Sequence, residues 1–242
     1  MLDLAAAITA VRAMHFREIN LTMPHKISVI PMLDMLTPAA EIIGAVNTVV
    51  NDDGKLTGEN TDGKGFTASL IREGVALKDS RITLLGAGGA ARAIAVECAL
   101  AGASAITIIN RNAARGQDLA DLLFAKTEAS AVFLPWEGRV RVPEGTDILI
   151  NATPVGLMPD SDSCPDIDYA SIHPGMMVSD VVFNPVDPLF LQKARQMGAR
   201  TFSGTGMLVQ QAALNFELWT GVKAPLELMD KTLRRAFAGG GR

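Results

Sequence analysis

From Arg81 to about Thr205, short apolar runs rich in β-branched residues alternate with stretches of helical period. That alternation is the pattern of a doubly wound α/β fold, a parallel sheet covered by helices on both faces. Arg81 to Leu85 and Ala105 to Ile109 are its first two strands, later ones are expected at Thr146 to Ile150 and Met177 to Val182, and Thr201-Phe202 suits a short last one. Upstream the pattern changes. Leu2 to Met14 is alanine-rich with helical spacing, and Glu18 to Thr22 reads as a short strand that Pro24 ends. Lys26 to Leu36 is compatible with a helix only if Pro31 sits at a boundary or a kink, because proline lacks the amide hydrogen a helix interior needs. Ala45 to Val50 and Lys55 to Gly58 flank Asn51-Asp52-Asp53-Gly54, residues suited to a hairpin turn. Gly63 to Glu73 returns to helical spacing and is expected to bridge two lobes. A strongly apolar helix at Met207 to Trp219 and an amphipathic one at Pro225 to Phe237 complete the chain.

Residues 81–93 carry the most specific chemistry. An apolar run ends at Gly86, three glycines fall within four positions, and an alanine-rich helical stretch opens at once. Gly86, Gly88 and Ala91 fill the G-x-G-x-x-G/A slots of a dinucleotide-binding (Rossmann) turn. The first permits the turn, the second lets a pyrophosphate approach the backbone, and the third lets helix pack on strand. The exposed helix N–H groups then face the anion, which makes Gly86, Ala87, Gly88, Gly89 and Ala90 candidate cofactor contacts. At the end of the second strand a plain NAD site would carry Asp or Glu for the ribose 2′-hydroxyl. This chain has Asn110-Arg111-Asn112 there, and Arg115 one turn further on. A carboxylate repels a 2′-phosphate and guanidinium groups bind it, so NADP is favoured and NAD is the alternative.

Composition narrows the class without naming a reaction. The 242 residues are 48% hydrophobic and 20% charged, as in a globular domain large enough for two lobes. A net charge of -4 argues against a nucleic-acid surface, and no apolar run approaches the ~20 residues that span a bilayer, so neither partner is expected. The absence of a basic segment followed by an apolar core gives no sign of a secretory signal, and Cys98 and Cys164 have no metal or redox spacing; both facts fit the cytoplasm. His15, His25 and His173 are scattered, so no metal is expected.

A nicotinamide supplies hydride chemistry, and the protein must supply orientation and a proton path. The only tyrosine, Tyr169, lies in a polar loop, so a Ser-x-x-x-Tyr-Lys arrangement is excluded. Two segments upstream of the glycine turn instead place polar side chains beside backbone breakers: Asn20-Leu21-Thr22-Met23-Pro24-His25-Lys26 and Gly58-Glu59-Asn60-Thr61-Asp62-Gly63. Between them Asn47 is an unusual residue for a strand start. Taken singly, each has an ordinary explanation: Lys26 as a surface lysine, Asp62 as a cap, Asn47 as a structural hydrogen-bonder.

Together these segments resemble the shikimate dehydrogenase family. The first is similar to its N-V-T-x-P-x-K motif, Ile43-Gly44-Ala45-Val46-Asn47-Thr48 to I-G-A-V-N-T, the second to G-x-N-T-D-G, and Gly86 to Arg92 to G-A-G-G-A-x-R. The likeness continues through Asn110-Arg111, Asn151-Ala152-Thr153-Pro154 and Gly206 to Ala212, and so covers essentially the whole chain. It implies reversible reduction of 3-dehydroshikimate to shikimate with NADPH, with quinate or another cyclic hydroxy acid as related small-molecule substrates. It also implies a dinucleotide-binding domain at 67–206 and a smaller α/β substrate domain formed by 1–66 and 207–242. Lys26 and Asp62 match the catalytic pair. Thr22, Asn47 and Gln211 match substrate contacts, and Thr153, Val181, Gly204 and Met207 further cofactor contacts. Periodicity alone does not separate Gln210 from Gln211; the family motif selects Gln211.

Two departures stand out. The family has an N-terminal strand, a glycine-rich turn and a Ser-x-Ser segment for the substrate carboxylate, and this chain begins after them. Each lost charged hydrogen bond removes ~1.5–3 kcal/mol, so the expectation is a chain that binds NADP and reduces dehydroshikimate weakly or not at all. An unpaired sheet edge left by the lost strand invites association, and a homodimer is the corresponding assembly. The alternative is a non-catalytic nucleotide-binding protein of the same fold. The second departure is Phe183, a substrate contact by position, where the family has tyrosine and its hydroxyl.

Overall fold

The computed structural model describes residues 3–239, which form sheets of four and six strands and a small two-stranded pair. The chain opens with α1 (Leu4–Ala13), capped by the Asp3 carboxylate, followed by β1 (Glu18–Asn20) and the one-turn α2 (His25–Ser28). A continuous helix across 26–36, compatible with the spacing, is not formed. α2 gives way to a 3-10 turn at Ile30–Met32 that holds Pro31, and the chain then extends into β2 (Met35–Leu36). The physical reason is proline's missing donor, together with pairing of Leu36 beside Gly58. α3 (Pro38–Ile43) follows, with Thr37 as N-cap, Pro38 in its first turn and Gly44 closing it at positive φ.

β3 (Thr48–Asp52) and β4 (Lys55–Glu59) form the expected hairpin, with Asp52 opposite Lys55. Asp53 and Gly54, its two loop residues, both have positive φ, which suits the right-handed twist of the flanking strands. The first sheet runs β1-β3-β4-β2 and packs α1 and α3 around Ile8, Val11, Val29, Val46, Val49 and Leu56.

α4 (Thr61–Arg72) leads into the second sheet, made of β5 (Arg81–Leu85), β6 (Ala105–Asn110), β7 (Ser130–Pro135), β9 (Ile148–Asn151), β11 (Met177–Asp180) and β12 (Arg200–Phe202). Between these strands run α5 (Gly89–Leu100), α6 (Ala113–Lys126) and α7 (Leu189–Gln196). β8 (Val140–Arg141) and β10 (Ile167–Asp168) form a separate two-stranded pair. The six strands are parallel and ordered β12-β11-β9-β5-β6-β7, so the order reverses between β5 and β9. Ligands of such sheets bind at that crevice, beyond the carboxyl ends of the strands. One face is covered by α4, α5 and α6 around Ile94, Ile106 and Ile108, the other by α7 around Leu149, Val178 and Phe190. Each fully buried Ile or Leu contributes about 1.5–3 kcal/mol. Cys98 is one of these buried groups, and burial pushes its thiol up to about 12, as a small core hydrophobe should behave.

α8 (Thr205–Thr220) returns the chain to β3 of the first sheet, and α9 (Leu226–Gly239) packs on α8. α8 lies along α4 at very short range: a Cβ on Gly65 would stand 2.7 Å from the Gln211 amide nitrogen. Only glycine fits there, and that close approach brings Asp62 at the start of α4 and Gln211 on α8 to the same cleft. Among the described residues, no helix is long and apolar enough to cross a membrane.

Candidate active site

Lys26 is held by backbone stitching. Val46 N–H donates to its carbonyl at 2.8 Å, and Leu21 N–H donates to the Asn47 carbonyl at 2.7 Å. Asp62 stands in the first turn of α4, where the N-cap Asn60 accepts from its N–H at 3.1 Å. Lys26 Nζ donates to Asp62 Oδ2 at 2.6 Å, and Asn47 Nδ2 donates to Asp62 Oδ1 at 2.9 Å. Asn47 is in turn fixed by Thr61, whose N–H donates to Asn47 Oδ1 at 2.8 Å. Both carboxylate oxygens are thus occupied, and the carboxylate has one orientation. The Lys26 and Asp62 side chains are 26% and 16% exposed, shielded enough to strengthen their attraction and open enough to meet a ligand.

Three cavities run through this region. A groove of about 540 Å³ holds Arg111 and Arg115 at one end and Gly86, Ala87, Gly88 and Asn110 along its floor. A cavity of about 400 Å³ continues from Gly88 and Thr153 past Gly89, Ala90, Val181, Gly204 and Met207 to Lys26 and Asp62. The third, about 520 Å³, presents Thr22 and Asn47 to the same two residues. Lys26, Asp62 and Gln211 line both the second and the third, so the pair stands where these two spaces meet.

The nucleotide-side space fits a dinucleotide. α5 has Gly88 as its N-cap, with no side-chain cap and no acidic residue in its first turn, so its N–H groups stay available to an anion. A Cβ on Gly88 or Gly89 would meet nothing within 4 Å, which leaves the room a pyrophosphate needs. Gly86 has φ +108° and packs so closely that a Cβ would sit 3.0 Å from the Ala152 carbonyl oxygen. Arg111 and Arg115 make no ion pair among the described residues, while Asn110 Nδ2 donates to the Asn112 carbonyl at 2.8 Å and shapes that corner.

Two placements differ in emphasis from the sequence reading. Asn47 is buried and its amide is engaged with Asp62 and Thr61, so it braces the carboxylate as well as facing the third cavity. Phe183 lines the second cavity rather than the third, with its ring 5.9 Å from that of Phe237 on α9. Gln211 lines the second and third cavities, whereas the adjacent Gln210 lines a separate one.

Several site residues escape a reading of the sequence. Asn215, one helical turn beyond Gln211, lines the substrate-side cavity and accepts from Thr48 Oγ1 at 3.0 Å; the i, i+4 spacing was the available signal. Trp136 forms a wall of the nucleotide groove from the loop after β7, a strand the sequence reading omits. Beneath Thr153 lies a buried chain: Asn151 Oδ1 accepts from Thr153 Oγ1 at 2.6 Å, and Asn151 Nδ2 donates to Asp180 Oδ1 at 3.0 Å. Burial pushes the Asp180 carboxyl up to about 7, against the opposing pull of the Val182 N–H and Asn151, and its Oδ2 has no partner among the described residues. Across the lobes, Arg92 Nε donates to the Ile43 carbonyl at 2.5 Å, tying α5 to the end of α3.

Fold and site together define a two-lobed oxidoreductase that uses a nicotinamide nucleotide. Family comparison makes this specific. Residues 2–49 match the shikimate dehydrogenase substrate binding domain, 68–155 match shikimate / quinate 5-dehydrogenase, and 204–234 match the shikimate 5'-dehydrogenase C-terminal domain. A shikimate dehydrogenase (NADP(+)) of Desulforamulus reducens is 43% identical, across 98% of this chain and 83% of that protein. The ligand-free crystal structure of a 5-ketofructose reductase from a Gluconobacter strain is 44% identical with a TM-score of 0.93, covering 97% of this chain and 84% of that one. Shikimate 5-dehydrogenase from Listeria monocytogenes, in complex with shikimate and NAD, is 36% identical with a TM-score of 0.90, covering 95% and 82%. The chain belongs to the shikimate dehydrogenase family.

Proposed function

We propose that the protein catalyses the NADP-dependent, reversible reduction of 3-dehydroshikimate to shikimate, with Lys26 and Asp62 as its proton-transfer pair. NADPH, when bound, supplies the hydride. The observation that carries this reading is the 2.6 Å Lys26–Asp62 contact at the junction of the nucleotide-side and substrate-side cavities. The Lys26 ammonium donates a proton to the substrate carbonyl oxygen as that oxygen gains charge, and in the oxidative direction the neutral amine takes the proton back. Asp62 stabilises the ammonium and aims it, and Asn47 keeps Asp62 from turning away. Thr22, Asn47 and Gln211 are the substrate's hydroxyl contacts. The glycine turn holds the pyrophosphate and Arg111 with Arg115 holds the 2′-phosphate. The substrate lobe in this reading comprises 1–66 and 207–242 and the nucleotide lobe 67–206. The free cysteines Cys98 and Cys164 support a cytoplasmic setting.

A second reading concerns the substrate alone. The 44% identity to a 5-ketofructose reductase supports an uncharged polyhydroxy ketone as an alternative to a cyclic acid. Both readings share the proton-transfer pair. Retention of Lys26, Asp62 and Asn47 in one hydrogen-bonded unit disfavours a non-catalytic nucleotide-binding role. The test is nucleotide reduction or oxidation followed spectrophotometrically with shikimate, quinate and 5-ketofructose as separate substrates. Turnover with shikimate supports the first reading and turnover only with 5-ketofructose supports the second. No turnover with any of them contradicts both.

A further inference from the structure

A fourth cavity, of about 460 Å³, shares no lining residue with those of the cleft. It lies at the opposite end of α4: Asp62 stands in the first turn, and Arg72 ends the helix in this cavity, about 15 Å away at 1.5 Å per residue. Its walls come from the end of α4, the start of α8, α9, α7 and β12, so both connecting helices and both lobes contribute.

The chemistry of the lining is cationic with donors in reserve. Four guanidinium groups (Arg72, Arg195, Arg200, Arg234) face three carboxylates (Glu73, Asp187, Asp230). Arg195 is paired with Asp187 at 2.9 Å, Arg234 with Asp230 at 2.8 Å and Arg200 with Glu73 at 3.7 Å. Arg72 has no carboxylate partner among the described residues. An independent sign of a ligand comes from α8. Gln210 is 9% exposed, lines this cavity, and its side-chain amide makes no hydrogen bond among the described residues. Thr205 Oγ1, in the same wall, is fully buried and also unpartnered. A fully buried polar group left unpaired, as Thr205 Oγ1 is, costs about 1–3 kcal/mol. The Gln210 amide keeps accessible surface in the cavity and is a free donor and acceptor for a ligand.

We propose that this cavity is a second ligand site, separate from the catalytic cleft, for a small metabolite bearing an oxyanion, a phosphate or a carboxylate. Arg72 holds the anion, Arg200, fixed over the Phe202 ring and by the Glu73 carbonyl, adds positive charge beside it, and the Gln210 amide holds a hydroxyl or anion oxygen. Charge-assisted hydrogen bonds from a planar guanidinium suit both anion types.

Calorimetric titration of the full chain saturated with NADP, with inorganic phosphate and malonate in separate arms, tests the site. Saturation removes competition from Arg111 and Arg115. The expected result is one-to-one binding in at least one arm, and which arm binds identifies the anion class. Arg72→Ala should weaken that binding by about tenfold. Gln210→Glu, which keeps the volume and adds a repelling charge, should abolish it, with folding of each variant checked by its thermal melt. Absence of binding in both arms, or binding left intact by Arg72→Ala and Gln210→Glu, overturns the proposal. Because no turnover is measured, failure here is distinct from failure of the catalytic reading.

Discussion

Asn47 Nδ2 stands 2.9 Å from Asp62 Oδ1 while the opposite oxygen of the same carboxylate accepts from Lys26, so a strand-start amide sets the direction of the ammonium. If Asp62 aims Lys26, Asp62→Asn should lower kcat by about 10- to 100-fold and change KM little, because the positioning matters most as the carbonyl oxygen gains charge. Steady-state kinetics check this; a rise in KM at unchanged kcat would assign Asp62 to substrate binding alone.

Two glycines of the nucleotide side predict opposite failures. A Cβ on Gly204 would lie 2.4 Å from the Val181 carbonyl oxygen, so Gly204→Ala should destabilise the fold by about 1–3 kcal/mol and lower the melting temperature by several degrees. Gly88 has open space and an extended backbone that alanine tolerates. Gly88→Ala should therefore keep the wild-type melting temperature and weaken NADP binding by about tenfold or more, since the methyl fills the pyrophosphate's place. Melts and nucleotide titrations on the two variants separate the cases.

Arg111→Ala and Arg115→Ala should each weaken NADP binding by about 10- to 100-fold and leave NAD binding nearly unchanged, as expected for charged hydrogen bonds to a 2′-phosphate. Equal losses for both nucleotides would move these arginines out of the 2′-phosphate site.

Stability should fall as pH rises from the acid range toward 8. Burial raises Asp180 from 3.8 to about 7 and Glu18 from 4.5 to about 8, so both bind protons more tightly folded than unfolded. Their contribution is whole below the unfolded values and is lost as pH rises through the folded ones. Asp180→Asn keeps the hydrogen bond from Val182 without the ionisable proton. It should flatten the decline between about pH 4 and 7 and melt above the wild type at pH 8. Thermal melts across that range decide, and parallel wild-type and variant curves would exclude Asp180 as a source of the decline.

The nucleotide half of the fold was legible because its strands are buried on both faces and read as continuous apolar runs bounded by glycine. β7 escaped that logic as an edge strand with Val132 and Leu134 exposed. α3 was missed although Thr37-Pro38 and Gly44 are standard start and stop signals, because only one turn and a half separates them. Over 26–36 helical spacing misled, since periodicity does not register the pairing of Leu36 with β4. The residues of the candidate site were nameable one by one. Their convergence was not: Lys26 and Asp62 are 36 positions apart, and they are brought together by the backbone bonds of Val46 and Asn47 to Lys26 and Leu21 and by the Gly65 approach of α4 to α8. The 151–154 motif flags Asn151 and Thr153, but the hydrogen bond to Asp180 carries no sequence signal, because only the parallel register sets Asp180 beside Asn151.

Single-turnover oxidation of bound NADPH by 3-dehydroshikimate, in wild type and in Lys26→Met, tests the central claim most directly. NADPH affinity, measured separately by fluorescence titration, should agree within about twofold between the two proteins, while the variant's single-turnover rate should fall by about 100- to 10,000-fold. A Lys26→Met protein that oxidises NADPH at the wild-type rate would contradict a proton-donating role for Lys26.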